Sequence, residues 1–131
     1  MIFVDTSVWV ASFRSASGEE ARHLTALLDL DLVGLAAPVR VEILAGASIA
    51  DRIRLRRTLS ALPTFYPSLP TWETIDGWVD RAGAAGEHFG ALDLLIGALA
   101  AEQNAAVWSL DSDFRRMARL GLVEQHHLPK P

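Results

Sequence analysis

The 131-residue sequence contains no cysteine. Disulfide frameworks, thiolate zinc sites, iron–sulfur clusters and thiol nucleophiles are therefore excluded. Lysine is almost missing as well: Lys130 stands alone beside eleven arginines. No long apolar run exists. The longest uncharged stretch, Thr58–Trp72, is interrupted by Pro63, Pro67 and Pro70, which rules it out as a membrane helix. The opening MIFVDTSVWV has no cationic flank and places Asp5 inside its apolar run, so it does not read as a secretion signal. The expectation is a cytoplasmic protein with no membrane partner.

Half of the residues are apolar and 21% are charged, a composition that folds and is not disordered. The length suits one domain spanning 1–131. The formal net charge is −4, so the chain as a whole is not a basic nucleic-acid binder. Its basic residues are nearly all arginine, however, and arginine favours bidentate contacts with phosphate.

Strand-like and helical patterns alternate along the chain. Ile2-Phe3-Val4 is a short strand, with Thr6 or Ser7 capping the helix that follows. Apolar positions at Ala21, Leu24, Leu27 and Leu28 mark a second helix. Leu32–Ala37 reads as a strand, and Pro38 suits the first turn of a helix reaching Ala47. Asp51–Leu62 reads as a helix with Ile53, Leu55 and Leu59 inward. Thr64–Tyr66 is an edge strand between prolines. Thr71 is the expected cap of a helix that turns Trp72, Ile75, Trp78 and Val79 to one face. Ala91–Asn104 is a strongly apolar helix, Ala106–Leu110 a buried strand, and Asp111–Asp113 opens a helix before a last strand at Leu122–Gln125. Such alternation defines an α/β class with a mainly parallel central sheet. Chemistry in such sheets gathers beyond the carboxyl ends of the strands, where Asp5 and Asp111 both fall.

Most of the sixteen acidic residues sit in polar company. Four do not. Asp5 is the only charge in Met1–Phe13, and Glu42 lies within VRVEILA. Asp93 is the only charge in ALDLLIGALAA, and Asp111 follows AVWSL directly, with Asp113 two residues on. Each has a plain local reading as a helix cap, a first-turn acid or an arginine partner. Together they suggest a cluster, because several carboxylates brought close repel unless some protonate or a cation binds. Oxygen ligands of this kind suit Mg²⁺ or Mn²⁺. The four histidines lie outside these segments, which disfavours zinc.

These residues resemble a known pattern. IFVDTSVWV, APVRVEILAG, GALDLLIGALA and SLDSDF are similar, in order and spacing, to the four motifs of the PIN-domain ribonucleases, and in particular to the VapC-type toxins of bacterial toxin–antitoxin pairs. The likeness spans residues 1–126. It implies a three-layer α/β/α sandwich and a Mg²⁺-dependent endoribonuclease, with Mn²⁺ as an alternative ion. Carried over by motif, Asp5, Glu42, Asp93 and Asp111 form the catalytic and metal-binding quartet, and Asp113 can replace or assist Asp111. The implied chemistry is metal-assisted attack of water on a phosphodiester, leaving a 5′-phosphate and a 3′-hydroxyl. Thr6 and Ser7 match positions whose hydroxyls order the first carboxylate, and are candidate substrate contacts. Ser109 stands where many relatives carry threonine. The resemblance also implies a cognate VapB-like antitoxin, a homodimer and an RNA substrate such as transfer RNA.

Arg115 and Arg116 follow the last acidic motif and are candidate contacts for RNA phosphates. Arg119 reads more simply as part of a solvated face. Arg40 can orient Glu42. Two other classes compete with the ribonuclease reading. A phosphatase or receiver domain would want a lysine near the carboxylates, whereas Lys130 is at the tail. A non-catalytic RNA- or protein-binding module would not need an intact quartet.

Overall fold

The computed structural model describes residues 1–130. The chain runs β1 (Ile2–Val4), α1 (Thr6–Arg14), α2 (Glu19–Asp29), β2 (Val33–Ala36), α3 (Ala37–Gly46) and α4 (Ile49–Ser60), then β3 (Thr64–Phe65), α5 (Leu69–Ala84), α6 (Ala91–Glu102), β4 (Ala106–Trp108), α7 (Ser112–Arg119) and β5 (Glu124–Gln125). The five strands form one sheet in the order β3-β2-β1-β4-β5. Every pairing is parallel. The three-layer α/β/α reading of the sequence matches this architecture.

A parallel sheet covered by helices needs strands that are apolar on both sides. Val33, Gly34, Leu35 and Ala36 are all buried, as are Phe3, Val4, Val107 and Trp108. The chain builds outward from β1 through β2 to β3, then crosses back to lay β4 on the other side of β1. The order therefore reverses between β1 and β4, where a crevice opens at the carboxyl ends of the strands. The β1–β4 ladder extends one residue past β1, with the Asp5 amide donating to the Trp108 carbonyl at 2.9 Å. That bond fixes Asp5 beside Ser109 at the reversal.

Four local expectations change. The α4 helix begins at Ile49 on a Ser48 cap and buries Leu55 and Leu59. Ile53 is 69% exposed, because two residues along a helix is about 200° of rotation from Leu55. The α5 helix starts at Leu69, not after Thr71. Pro70 is tolerated in the first turn, and Ser68 and Thr71 close a capping box. The buried stripe of α5 is Thr71, Ile75, Trp78 and Ala82, so Trp72 and Val79 are exposed on its flanks. The α1 helix is entered from Asp5 and not from Thr6 or Ser7.

At the sheet margin, His23 of α2 and His126 after β5 meet Nε2 to Nε2 at 2.7 Å, and both rings stand edge-on to Trp108. The contact ties the last strand to α2.

Leu35 is fully buried in β2 between β1 and β3. Its truncation tests the core without touching the acids. Leu35→Ala is expected to lower unfolding stability by about 2–5 kcal/mol in urea titration, with an unchanged denaturant slope.

Candidate active site

Each acid reaches the crevice on a different element. Asp5 ends β1 and is 7% exposed, one of two buried polar or charged residues among those described. Its carboxylate makes no cap hydrogen bond to α1. Instead Oδ2 accepts hydrogen bonds from the Ser7 hydroxyl at 2.9 Å and the Ser109 hydroxyl at 2.8 Å. A serine has one proton to donate, so both hydroxyls spend theirs on Asp5. Their lone pairs then accept backbone amides, Ser7 from Leu110 across the crevice and Ser109 from Asp111 within its own turn, each at 3.0 Å. The ends of β1 and β4 are thus laced together through one carboxylate oxygen.

Glu42 sits on α3, and its Oε1 accepts the Thr6 hydroxyl at 2.7 Å. Thr6 therefore orders the second acid, while Ser7 orders the first. Arg40 does not pair with Glu42, because its guanidinium turns to the Ser60 hydroxyl.

Asp93 lies in the first turn of α6, whose later residues Leu94 and Ile96–Ala100 are buried. Asp111 caps α7, accepting the Asp113 amide at 2.9 Å. Asp93, Asp111 and Asp113 each present a carboxylate oxygen, and all three oxygens lie within 4.8 Å of one another. Asp111 and Asp113 therefore both join the cluster. Asp5 is close enough for its charge to act on Asp93, and Glu42 is linked to Asp5's neighbour Thr6.

This crowding shows in the proton equilibria. Burial, a hydrogen bond with Asp113 and the charges of Asp111, Asp5 and Asp113 push the Asp93 carboxyl up to about 7. The same hydrogen bond with Asp93, followed by one from Arg116, holds Asp113 below the ordinary carboxylate range. Below that value the pair holds one proton, on the Asp93 side. Three convergent hard oxygens, with a proton standing in where charge cannot be tolerated, fit a divalent cation of the Mg²⁺ or Mn²⁺ type.

Of the candidate substrate contacts, Arg115 is exposed on α7. Arg116 is bonded to Asp113 and Glu87. Nothing in the sequence around Glu87 marked it as belonging near the acids. Ser109 was visible as a motif position, but its bond to Asp5 depends on the β1–β4 register.

The comparisons with known proteins agree with this geometry. Residues 2–120 match the PIN domain family, and the chain belongs to that family. Within it, the chain is 34% identical to VapC ribonuclease Mb1587 of Mycobacterium bovis over 92% of this chain and 93% of that one. It is 35% identical to ribonuclease VapC18 of Mycobacterium tuberculosis over 92% of this chain and 90% of that one. The fold is shared with the crystal structure of VapBC2 from Rickettsia felis bound to a promoter DNA fragment. That match has a TM-score of 0.78 at 18% identity and covers 96% of this chain and 98% of that one. PIN-domain nucleases are metal-dependent, and the three-acid cluster is the part of this chain that suits a metal.

The Asp93 shift sets a stability trend. Its folded-state value of about 7 lies above the ordinary 3.8, so between those values the folded protein binds more protons than the unfolded chain. Stability contributed by this group is full at low pH and is lost as pH rises through that window. His126 acts the other way: burial, then the charges of His23 and His127, lower its value, so its contribution falls on acidification. Comparison with Asp93→Asn separates the two. The metal-free wild type is expected to lose thermal stability relative to Asp93→Asn as pH rises between about 4 and about 7. Saturating Mg²⁺ should recover the difference in the wild type alone.

Proposed function

We propose that this chain is a Mg²⁺-dependent endoribonuclease toxin, with Mn²⁺ as an alternative ion, that hydrolyses RNA phosphodiesters and is neutralised by a cognate VapB-like antitoxin. The observation that carries the reading is the meeting of Asp93, Asp111 and Asp113 oxygens within 4.8 Å, beside Asp5, at the reversal of a parallel sheet. The relatives named as VapC ribonucleases support the substrate class, and the neighbour solved as VapBC2 supports an antitoxin partner.

In this reading Asp93, Asp111, Asp113 and Asp5 hold the ion, with Glu42 directly or through water. The ion, when bound, neutralises charge on the phosphodiester and makes water a better nucleophile. The chain's own groups supply orientation and proton traffic. Ser7 and Ser109 hold Asp5 through Oδ2. Thr6 fixes Glu42 through Oε1, which leaves Oε2 to face substrate or water. The Asp93 carboxyl, which holds its proton up to about pH 7 without the ion, would give that proton up when the ion binds. Arg115, exposed on α7, would in this reading meet a phosphate flanking the cut.

The chain's one lysine does not support the phosphatase or receiver alternative. Lys130 lines a groove with Glu19, Arg22 and His23 on α2. The proposal extends to a single PIN domain over residues 1–131, a homodimer, a transfer-RNA target and a cytoplasmic location. No helix among the described residues is long and apolar enough to cross a membrane.

Purified protein is expected to cleave RNA only with Mg²⁺ or Mn²⁺, leaving 5′-phosphate and 3′-hydroxyl ends on sequencing. Asp5→Asn and Asp93→Asn should each abolish cleavage. Ser109→Ala, which removes one of the two side-chain donors to Asp5, should lower kcat about tenfold with little change in thermal midpoint. Metal-independent cleavage, or full activity in both Asp→Asn variants, contradicts the assignment.

A further inference from the structure

Arg116 lies three residues beyond Asp113 on α7, so the two share a helix face. Its guanidinium makes three contacts. One terminal nitrogen donates to Asp113 Oδ1, and the other donates to Glu87 Oε2. The flat face lies over Phe89, with Cζ 4.9 Å from the ring centroid. Phe89 is itself buried at 4% exposure. Glu87 and Phe89 belong to the connector between α5 and α6, and that connector leads through the Gly90 cap into the turn carrying Asp93.

A planar guanidinium with both terminal nitrogens committed and its face covered has no free rotation left. The side chain therefore joins the element that presents Asp113 to the element that presents Asp93. The ion pairs themselves are about one-third exposed, so their Coulomb energy is modest. What they supply is geometry. Glu87 also cancels the charge of Arg116, so the contact orients Asp113 without making the cluster less negative overall. A phosphate would have to use the remaining N–H donors, beside two carboxylates that repel it.

We propose that Arg116 is a positioning residue, braced by Glu87 and Phe89, which fixes Asp113 against Asp93 and Asp111 for cation binding and does not contact RNA. The proposal rests on reading the acids as a divalent-cation site.

Simple electrostatics opposes it: removing a cation beside three carboxylates should tighten metal binding. Positioning makes the opposite forecast. Carboxylates left unrestrained repel and turn outward, and loss of a partner that orients a ligand weakens metal affinity by roughly 10–100-fold.

Mn²⁺ titration calorimetry on the purified chain decides between them. Arg116→Met should weaken Mn²⁺ about tenfold. Glu87→Gln should weaken it less, and should add nothing in the Arg116→Met background. Arg116→Lys should fall between, because an ammonium lacks the fork that reaches both carboxylates. RNA cleavage should lose kcat with KM nearly unchanged, and thermal melts confirm that each variant is folded. Unchanged or tighter Mn²⁺ binding in Arg116→Met overturns the proposal. So does a loss confined to the KM for RNA with a shallower salt dependence, the mark of a phosphate contact. Wild type that binds Mn²⁺ without cleaving RNA, with the variant pattern intact, upholds Arg116 and removes the ribonuclease reading. Wild type that cleaves RNA with Mn²⁺ affinity indifferent to Arg116 does the reverse.

Discussion

Carboxylates repel, and the fold drives several of them together. Asp93, Asp111 and Asp113 converge within 4.8 Å, with Asp5 near enough to act on Asp93. Partial burial of Asp93 strengthens the repulsion there by removing solvent screening. The chain meets this with a shared proton on Asp93 and with the guanidinium of Arg116 on Asp113. A hard divalent cation resolves the same conflict more completely, by releasing the proton and using every oxygen. The acids, the hydroxyls that hold them and the sheet that aims them all follow from that need.

The sheet does the aiming. Because β4 returns to the far side of β1, residues 5 and 109–113 arrive side by side although about a hundred positions separate them. Two serine hydroxyls convert this adjacency into a fixed geometry: both donate to Asp5, Ser7 accepts the Leu110 amide from the opposite strand end, and Ser109 accepts the Asp111 amide of its own segment. The α6 helix presents Asp93 from its first turn, just ahead of the buried Leu94 and Ile96–Ala100. Core packing and site geometry therefore share the same elements.

Much of this was legible in the sequence, and for identifiable reasons. An acid inside an apolar segment stands out whatever the fold, which is why Asp5, Glu42, Asp93 and Asp111 were singled out; the oxygens that converge are those of Asp93, Asp111 and Asp113. The parallel class followed from the alternation of strand-like and helical segments along the chain. Other features depend on side-chain direction and were not legible. Asp5 as a plain helix cap was a fair local reading until its oxygens proved to be held by serines. Arg116 looked like a phosphate contact because nothing local reveals that Glu87, twenty-nine residues earlier, reaches it. Ile53 and Trp72 were misplaced because the 100° step of a helix turns them away from the buried stripes, Leu55 and Leu59 in α4 and Thr71, Ile75, Trp78 and Ala82 in α5. The His23–His126 contact joins segments 103 residues apart and leaves no trace in either.

The central claim is that convergence of the acids makes one proton interchangeable with a divalent cation. A pH titration of the Asp93 side-chain carboxyl by carbon-13 NMR, with and without Mg²⁺, reads that exchange directly. The account requires a midpoint near 7 in the metal-free protein, displaced to markedly lower pH when Mg²⁺ saturates the site. A midpoint close to the ordinary 3.8, indifferent to Mg²⁺, would contradict it.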